Sequence, residues 1–397
     1  MSRRSPWWVV AGYTAVCSVN QMLWLSYAPV TTVTADRFQV SVAAVGWLAQ
    51  IFPLLYVLLA IPAGLLLDRW FRAGLLTGAG LTALGAVLRI GDSYGWALAG
   101  QMLIAVAQPL VLNALTKVVS GYLPTASRAA GIAAGSASVF AGLVLALLLG
   151  TVLDRPADLP LLVGLSAGLA VLAALSLAAV LTRPPAQPPV PAGAGFGRLL
   201  LVLRDPSIRL VALLGLGGFG VFVALTTWLQ ALLEPAGVSA GTSGLLLLLI
   251  VVTGIVGSAT LPAMLVRSGS TRRFLTGAIA AAAAACLLMA ASPGVATAAV
   301  AGPVLGVALL TALPLLLEIV ERRAGHAGAT AASLVWLAGN LGGLLVALAV
   351  QGLLARPGLA FALLAMVLLG CLPAARSARL DGPELSNHRS TAISEPI

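Results

Sequence analysis

Charge is what this chain has least of. Only 9 % of its 397 residues are Asp, Glu, Lys or Arg, against 60 % hydrophobic, and the mean hydropathy is +1.05. Soluble domains carry about 25 % charged residues, so a water-facing surface cannot be covered here and an ordinary soluble globular protein is excluded. The same apolar content excludes intrinsic disorder for the body of the chain. Cysteine is scarce too: Cys17, Cys286 and Cys371 show no CxxC spacing, which rules out a disulfide scaffold. There are two histidines, His326 and His388, and no His/Cys/Asp cluster has metal-ligand spacing. No GxxxxGK[ST] loop occurs, and no serine has a base at membrane depth. An enzyme, a metal site and a bound cofactor are therefore not expected.

What is present in quantity is long apolar runs. A hydrocarbon core of ~30 Å needs about 20 apolar residues per helix, and twelve such runs can be marked. They are Pro6–Val30, Ser41–Leu67, Gly74–Ile90, Gly95–Val119, Ala129–Leu153, Leu159–Thr182, Ile208–Leu233, Ser243–Val266, Phe274–Ala291, Val295–Val320, Ala331–Leu354 and Leu359–Ala375. The third, ninth and twelfth are short enough to be tilted or partly embedded. None alternates as a barrel strand would. The expected fold is all-α: a membrane protein with twelve transmembrane helices in two six-helix bundles.

Of the 22 basic residues, all but Arg37, Arg89, Arg155 and Arg356 fall on the side of the termini. The positive-inside rule then places both termini in the cytoplasm. The net charge of +10 is spread over every inner loop, so it reads as topology and contact with anionic lipid rather than nucleic-acid binding. The first run is too long for a signal-peptide core and reads as a retained helix. Abundant Ala, Leu, Gly and Arg with little Lys points to a GC-rich bacterial genome and an inner membrane.

Residues 183–207, with RPPAQPPVPAGAGFGR, are too polar to span and divide the chain into residues 1–182, a cytoplasmic linker, and residues 208–375. Residues 376–397 read as a disordered cytoplasmic tail. Two six-helix halves on a linker suit a transporter whose halves rock about a central site, and this is also the layout of the major facilitator superfamily. The second run ends Gly64-Leu-Leu-Leu-Asp68-Arg69-Trp70-Phe71-Arg72, which resembles that superfamily's loop signature, with Phe71 in place of a glycine. Its logic is a glycine for close helix contact and an acid at a helix end to meet arginines and latch one conformation. Gly64, Asp68, Arg69, Arg72 and Arg128 are the candidate gating residues, although inner loops also collect arginine for topology alone.

Polar side chains at mid-membrane mark pathways. The first helix offers Asn20, Gln21, Trp24 and Tyr27, and the fourth Gln101, Gln108 and Asn113. The seventh offers Phe222, with Thr226, Thr227, Trp228 and Gln230 further out. In the eleventh, Trp336 and Asn340 are four apart and share a face. Amides of this kind also tie helices together, and aromatics also form interfacial belts. No Asp or Glu lies at mid-span, so coupling to protons through a buried carboxylate is not expected.

The stretch Gly100-Gln101 … Ala107-Gln108-Pro109 … Asn113 … Lys117, with Asn20 … Trp24 … Tyr27 and Val45-Gly46-Trp47 through Asp68-Arg69, resembles the feline leukaemia virus subgroup C receptor family within that superfamily. The likeness is good over the first half and weaker over the second. It implies transport of choline and ethanolamine, with heme export also attributed to members, and a quaternary ammonium held between aromatic faces near glutamines. On matching positions Trp24 would be one wall and Gln108 a polar neighbour. Phe222 stands where the family has a tyrosine, Asn340 where it has a glutamine, and Leu23 where it has a glutamine. The candidate substrate-binding residues are thus Trp24, Gln108, Phe222, Asn340, Asn20, Tyr27 and Trp336. The leading expectation is a monomeric, proton-independent transporter of a small organic cation by alternating access. An exporter of hydrophobic compounds or drugs, and a non-transporting receptor or scaffold, stay open beside it.

Overall fold

A computed structural model describes residues 7–182, 203–324 and 328–377. The proposed linker apart from residues 203–207, the tail beyond residue 377, and both histidines lie outside the described residues. Among the described residues, fourteen α-helices follow one another. They are α1 Trp7–Leu25, α2 Thr31–Phe38, α3 Val42–Arg69, α4 Phe71–Leu88, α5 Tyr94–Leu112, α6 Leu115–Tyr122, α7 Arg128–Val152, α8 Leu159–Val180, α9 Pro206–Leu233, α10 Ala240–Arg267, α11 Thr271–Ala291, α12 Val295–Ala324, α13 Gly328–Gln351 and α14 Pro357–Ser377. Among the described residues, eleven helices are long and apolar enough to cross a bilayer. The remaining one of membrane length is α1, with 19 residues, made more polar by Ser18, Asn20 and Gln21.

The starts of several helices follow from local chemistry. Ser41 accepts a hydrogen bond from the Ala44 N–H at 3.1 Å, and Asp205 accepts from the Ser207 N–H at 2.8 Å just ahead of Pro206. Both are N-caps, the second with proline at the first helical position. Pro53 and Pro62 sit inside α3; the Ala49 carbonyl that Pro53 leaves free accepts from the Trp24 indole N–H of α1.

Three expectations about the spans need correction. The first run does not continue to Val30: α1 ends at Leu25, and a 3₁₀ turn over Ala28–Val30 leads into the short helix α2. The fourth is broken at Asn113–Ala114 into α5 and α6. Asn113 is drawn sideways there, donating to the Ala60 carbonyl at 3.0 Å and accepting from the Tyr56 hydroxyl at 3.3 Å. The twelfth continues through Ser377, past the expected start of the tail. The three short runs are full helices of 18, 21 and 21 residues.

Helices α1, α3, α4, α5, α7 and α8 pack chiefly on one another, and α9 to α14 do the same. Across the two sets, α3 meets α13, α7 meets α10, and α9 meets the turn at Ala28–Val30. The tightest pairing is α9 on α13. A Cβ on Gly342 would overlap the Leu216 carbonyl oxygen, and one on Gly220 would stand 2.9 Å from the Gly342 oxygen. Only glycine permits backbones this close, the means by which helices associate in lipid.

With twelve traverses, α1 begins and α14 ends on one side, here the terminal end. Three hydrogen bonds that join the two sets lie at the opposite, far end. The Gln230 carbonyl accepts from the Thr32 N–H at 3.0 Å while its amide donates to the Thr32 hydroxyl at 2.8 Å. Gln50 donates to Gln351 at 3.1 Å. The Asp154 carboxylate lies against Gly241 in the first turn of α10.

Candidate functional site

The candidate binding residues divide into two kinds. Asn20 is fully buried, donating to Thr82 Oγ1 at 3.2 Å and the Ile104 carbonyl at 3.3 Å, and accepting from Gln21. It joins α1 to α4 and α5 inside one bundle. Tyr27 is also buried, and its ring face is occupied: the Arg89 guanidinium stands 4.5 Å from the ring centroid and donates to the tyrosine hydroxyl at 3.3 Å. Arg89 further donates to Ser26 at 2.7 Å. The pair staples the far end of α1 to α4, where the negative end of the α1 dipole favours a cation. Both residues have their polar groups turned to neighbouring helices in this conformation.

Gln108 differs. The amides of Gln21, Gln50, Gln101, Gln230 and Gln351 each take part in a hydrogen bond. Gln108 is 4 % exposed, and its amide makes none among the described residues. Trp24 is 6 % exposed; its indole N–H donates to the Ala49 carbonyl at 3.1 Å, and its ring lies 6.3 Å from Phe52. That bond fixes the ring and leaves its π face as what it can offer a ligand.

On the other bundle Phe222, Phe219 and Trp336 form an aromatic group. Phe219 lies 5.9 Å from Phe222, and 5.9 Å from Trp336 with the rings edge to face. Asn340 donates to the Trp336 carbonyl one turn back at 3.0 Å, which leaves its side-chain oxygen as an acceptor. Trp24 and Phe222 belong to one continuous apolar core. Phe219, absent from the candidate set, was signalled by its i, i+3 spacing to Phe222.

Several contacts of the gating candidates lie within their own bundle. Gly64 is buried in α3, and among the described residues no atom lies within 4 Å of where a Cβ would stand. Asp68 pairs with Lys117 of α6, a buried lysine. Arg69 stacks over Trp70 at 4.7 Å. Arg72 donates to the Leu181 and Thr182 carbonyls, each at 2.7 Å, closing the end of α8. Arg128 donates to the Ser120 carbonyl at 3.0 Å, at the end of α6. Arginine is suited to such caps, being a fork of donors at the negative end of a helix. Outside the spans, Asp205 is pushed up by burial but pulled further down by the Ser207 N–H and by Arg323, at 3.0 Å. Its carboxyl is held below the ordinary value.

Two helical bundles in contact, with an amide that makes no hydrogen bond among the described residues on one and an aromatic group on the other, have the build of a membrane transporter. The chain belongs to the major facilitator superfamily, whose profile matches residues 9–347. It is 34 % identical over 140 residues to solute carrier family 49 member A3 of Xenopus tropicalis, covering 31 % of this chain and 28 % of that protein. To the human choline/ethanolamine transporter FLVCR2 it is 29 % identical over 125 residues, covering 30 % of this chain and 24 % of the relative. The matched part thus spans only about a quarter of the length of these relatives. In fold the chain is similar to a bacterial homolog of the human lysosomal transporter Spinster, inward-facing and unoccupied. There the TM-score is 0.69 at 19 % identity, over 94 % of this chain and 95 % of that one. It is also similar to the human organic anion transporter MFSD10, with a TM-score of 0.71 at 17 % identity over 94 % and 100 %.

Proposed function

We propose that this transporter is a proton-independent facilitator of a choline-like organic cation, working by alternating access between bundles 1–182 and 208–375. The observation that carries the reading is Gln108, a buried residue whose amide makes no hydrogen bond among the described residues, in a protein whose sequence puts aromatic rings and no carboxylate at mid-span. A desolvated cation over an aromatic face gains about 2 kcal/mol, so Trp24 and the Phe222–Trp336 group supply attraction without a counter-ion. Gln108 and the Asn340 oxygen supply polar contacts for a hydroxyl or amine. The partial matches to choline/ethanolamine transporters point the same way. We place both termini in the cytoplasm, the far end outside, and the monomer in the bacterial inner membrane. The hydrogen bonds that join the two bundles at the far end support a carrier closed to the outside in this conformation.

Uptake of labelled choline and ethanolamine by purified protein in liposomes, with and without a proton gradient, tests this. Saturable uptake indifferent to the gradient, and reduced by Gln108→Ala, is expected. Uptake that needs the gradient removes the facilitator mechanism, and no uptake of either compound removes the substrate class. The aromatic group on α9 and α13 also suits an uncharged hydrophobic solute, and in that second case a dye-extrusion assay responds where choline uptake does not.

A further inference from the structure

We propose that Trp228 and Gly46 are the closure of the far end, the indole acting as a knob and the glycine as its socket. Trp228 sits on α9 and is fully buried. Its indole N–H donates to the Ala347 carbonyl of α13 at 2.9 Å, which fixes the ring's direction. The distal edge of the ring then fills the space where a side chain on Gly46 would begin: Cη2, Cζ2 and Cζ3 are the three atoms nearest to that point. Gly46 belongs to α3, in the other bundle. One turn along α3 lies Gln50, and one turn along α13 from Ala347 lies Gln351, and these two amides are bonded to each other. Two residues beyond Trp228, Gln230 makes its paired bonds to Thr32.

Helices α3 and α13 therefore face each other over one turn each, with the Trp228 ring keyed between them. A buried, hydrogen-bonded indole is not the loose end of a flexible chain, and a methyl on Gly46 cannot be absorbed by a small rotation. The ion pairs Arg37–Asp92, Asp68–Lys117 and Asp205–Arg323 each lie within one bundle. Asp154, beside Gly241 at the bundle junction of the far end, lies two residues past the end of α7 and not on α3. The inference rests on the alternating-access reading above. Its test measures conformation without substrate, so a failure of choline uptake leaves it standing.

The three native cysteines are buried, so spin labels can be directed to exposed positions on either side of the junction by Asp36→Cys and Ala236→Cys. In the parent, a short separation is expected to dominate by pulsed electron resonance. Gly46→Ala should raise the share of a longer separation at least about threefold. Trp228→Phe, which loses the Ala347 bond and shortens the knob, should also raise it. Adding Trp228→Phe to Gly46→Ala should bring the share back down from the Gly46→Ala level, because the smaller ring makes room for the methyl. Distributions for both single variants that match the parent overturn the proposal, as does a double variant more open than Gly46→Ala. If Gly46→Ala does not fold, Trp228→Phe alone decides: a longer separation supports the closure and an unchanged one overturns it.

Discussion

Trp24 and Trp228 reach the same stretch of α3 from opposite bundles. Trp24 donates its indole N–H to the Ala49 carbonyl, and Trp228 lays its ring on Gly46. The residue proposed as a wall for the cation is thus anchored three positions from the socket proposed as the closure. A change in where Trp24 stands is transmitted to Gly46 through one turn of helix, without passing through a loop.

Trp24→Ala should weaken choline binding about thirtyfold, the equivalent of about 2 kcal/mol for the lost cation–π contact. Trp24→Phe keeps a π face and loses only the Ala49 bond, so its loss should be several times smaller. Titration calorimetry on purified protein reads both. Equal losses in the two variants would assign the effect to the Ala49 bond rather than the ring.

Gly342→Ala should destabilise the fold by about 1–3 kcal/mol, because the added carbon meets the Leu216 carbonyl, which is backbone and cannot turn aside. The same change at Gly370, which has nothing within 4 Å, should leave stability unchanged. The fraction of protein remaining monodisperse after heating compares them.

Asp68→Asn removes the carboxylate from beside a lysine that is almost wholly buried. A buried cation deprived of a partner is costly, and a loss of about 1–3 kcal/mol is expected from the same heating assay. Lys117→Met, which takes the buried charge away along with the pair, should cost less. The reverse order would place the stabilisation on Lys117 itself.

The spans were legible because length and uninterrupted apolarity are properties of a single segment. What connects segments was not. Lys117 has the sequence position of any basic residue at a membrane edge, and nothing in its neighbours shows that it is buried against Asp68. Gln50 and Gln351 are 301 positions apart, and each reads alone as one more amide in an apolar run. The break at Asn113 was hidden because Pro109, four residues earlier, is tolerated inside α5 while the side-chain bonds of Asn113 to α3 are not visible in spacing. At the site, the polar residues could be picked out, but which amide is engaged by a neighbour and which is left over depends on packing. That is why Asn20 and Gln108 looked equivalent.

Asp205 carries a pH dependence whose sign follows from its environment. Its pKa is lowered in the folded state, so its contribution to stability is present at neutral pH and is lost as the pH falls through the depressed value. Asp205→Asn should therefore melt below the parent at pH 7, and the gap should close as the pH falls below about 4. A gap that persists in acid would mean that the asparagine is a poorer cap for reasons other than charge.

The glycine-lined meeting of α9 and α13 has a consequence for how relatives of this chain diversify. Phe219 and Phe222 ride on one of these helices and Trp336 and Asn340 on the other, and at Gly342 and Leu216 the two backbones are in direct contact. The aromatic group is held as a rigid blade: it can be repositioned as a whole but not reshaped by a small adjustment. If these rings face the solute as proposed, tuning for a new one falls to the other bundle, where the fourth traverse is interrupted between α5 and α6.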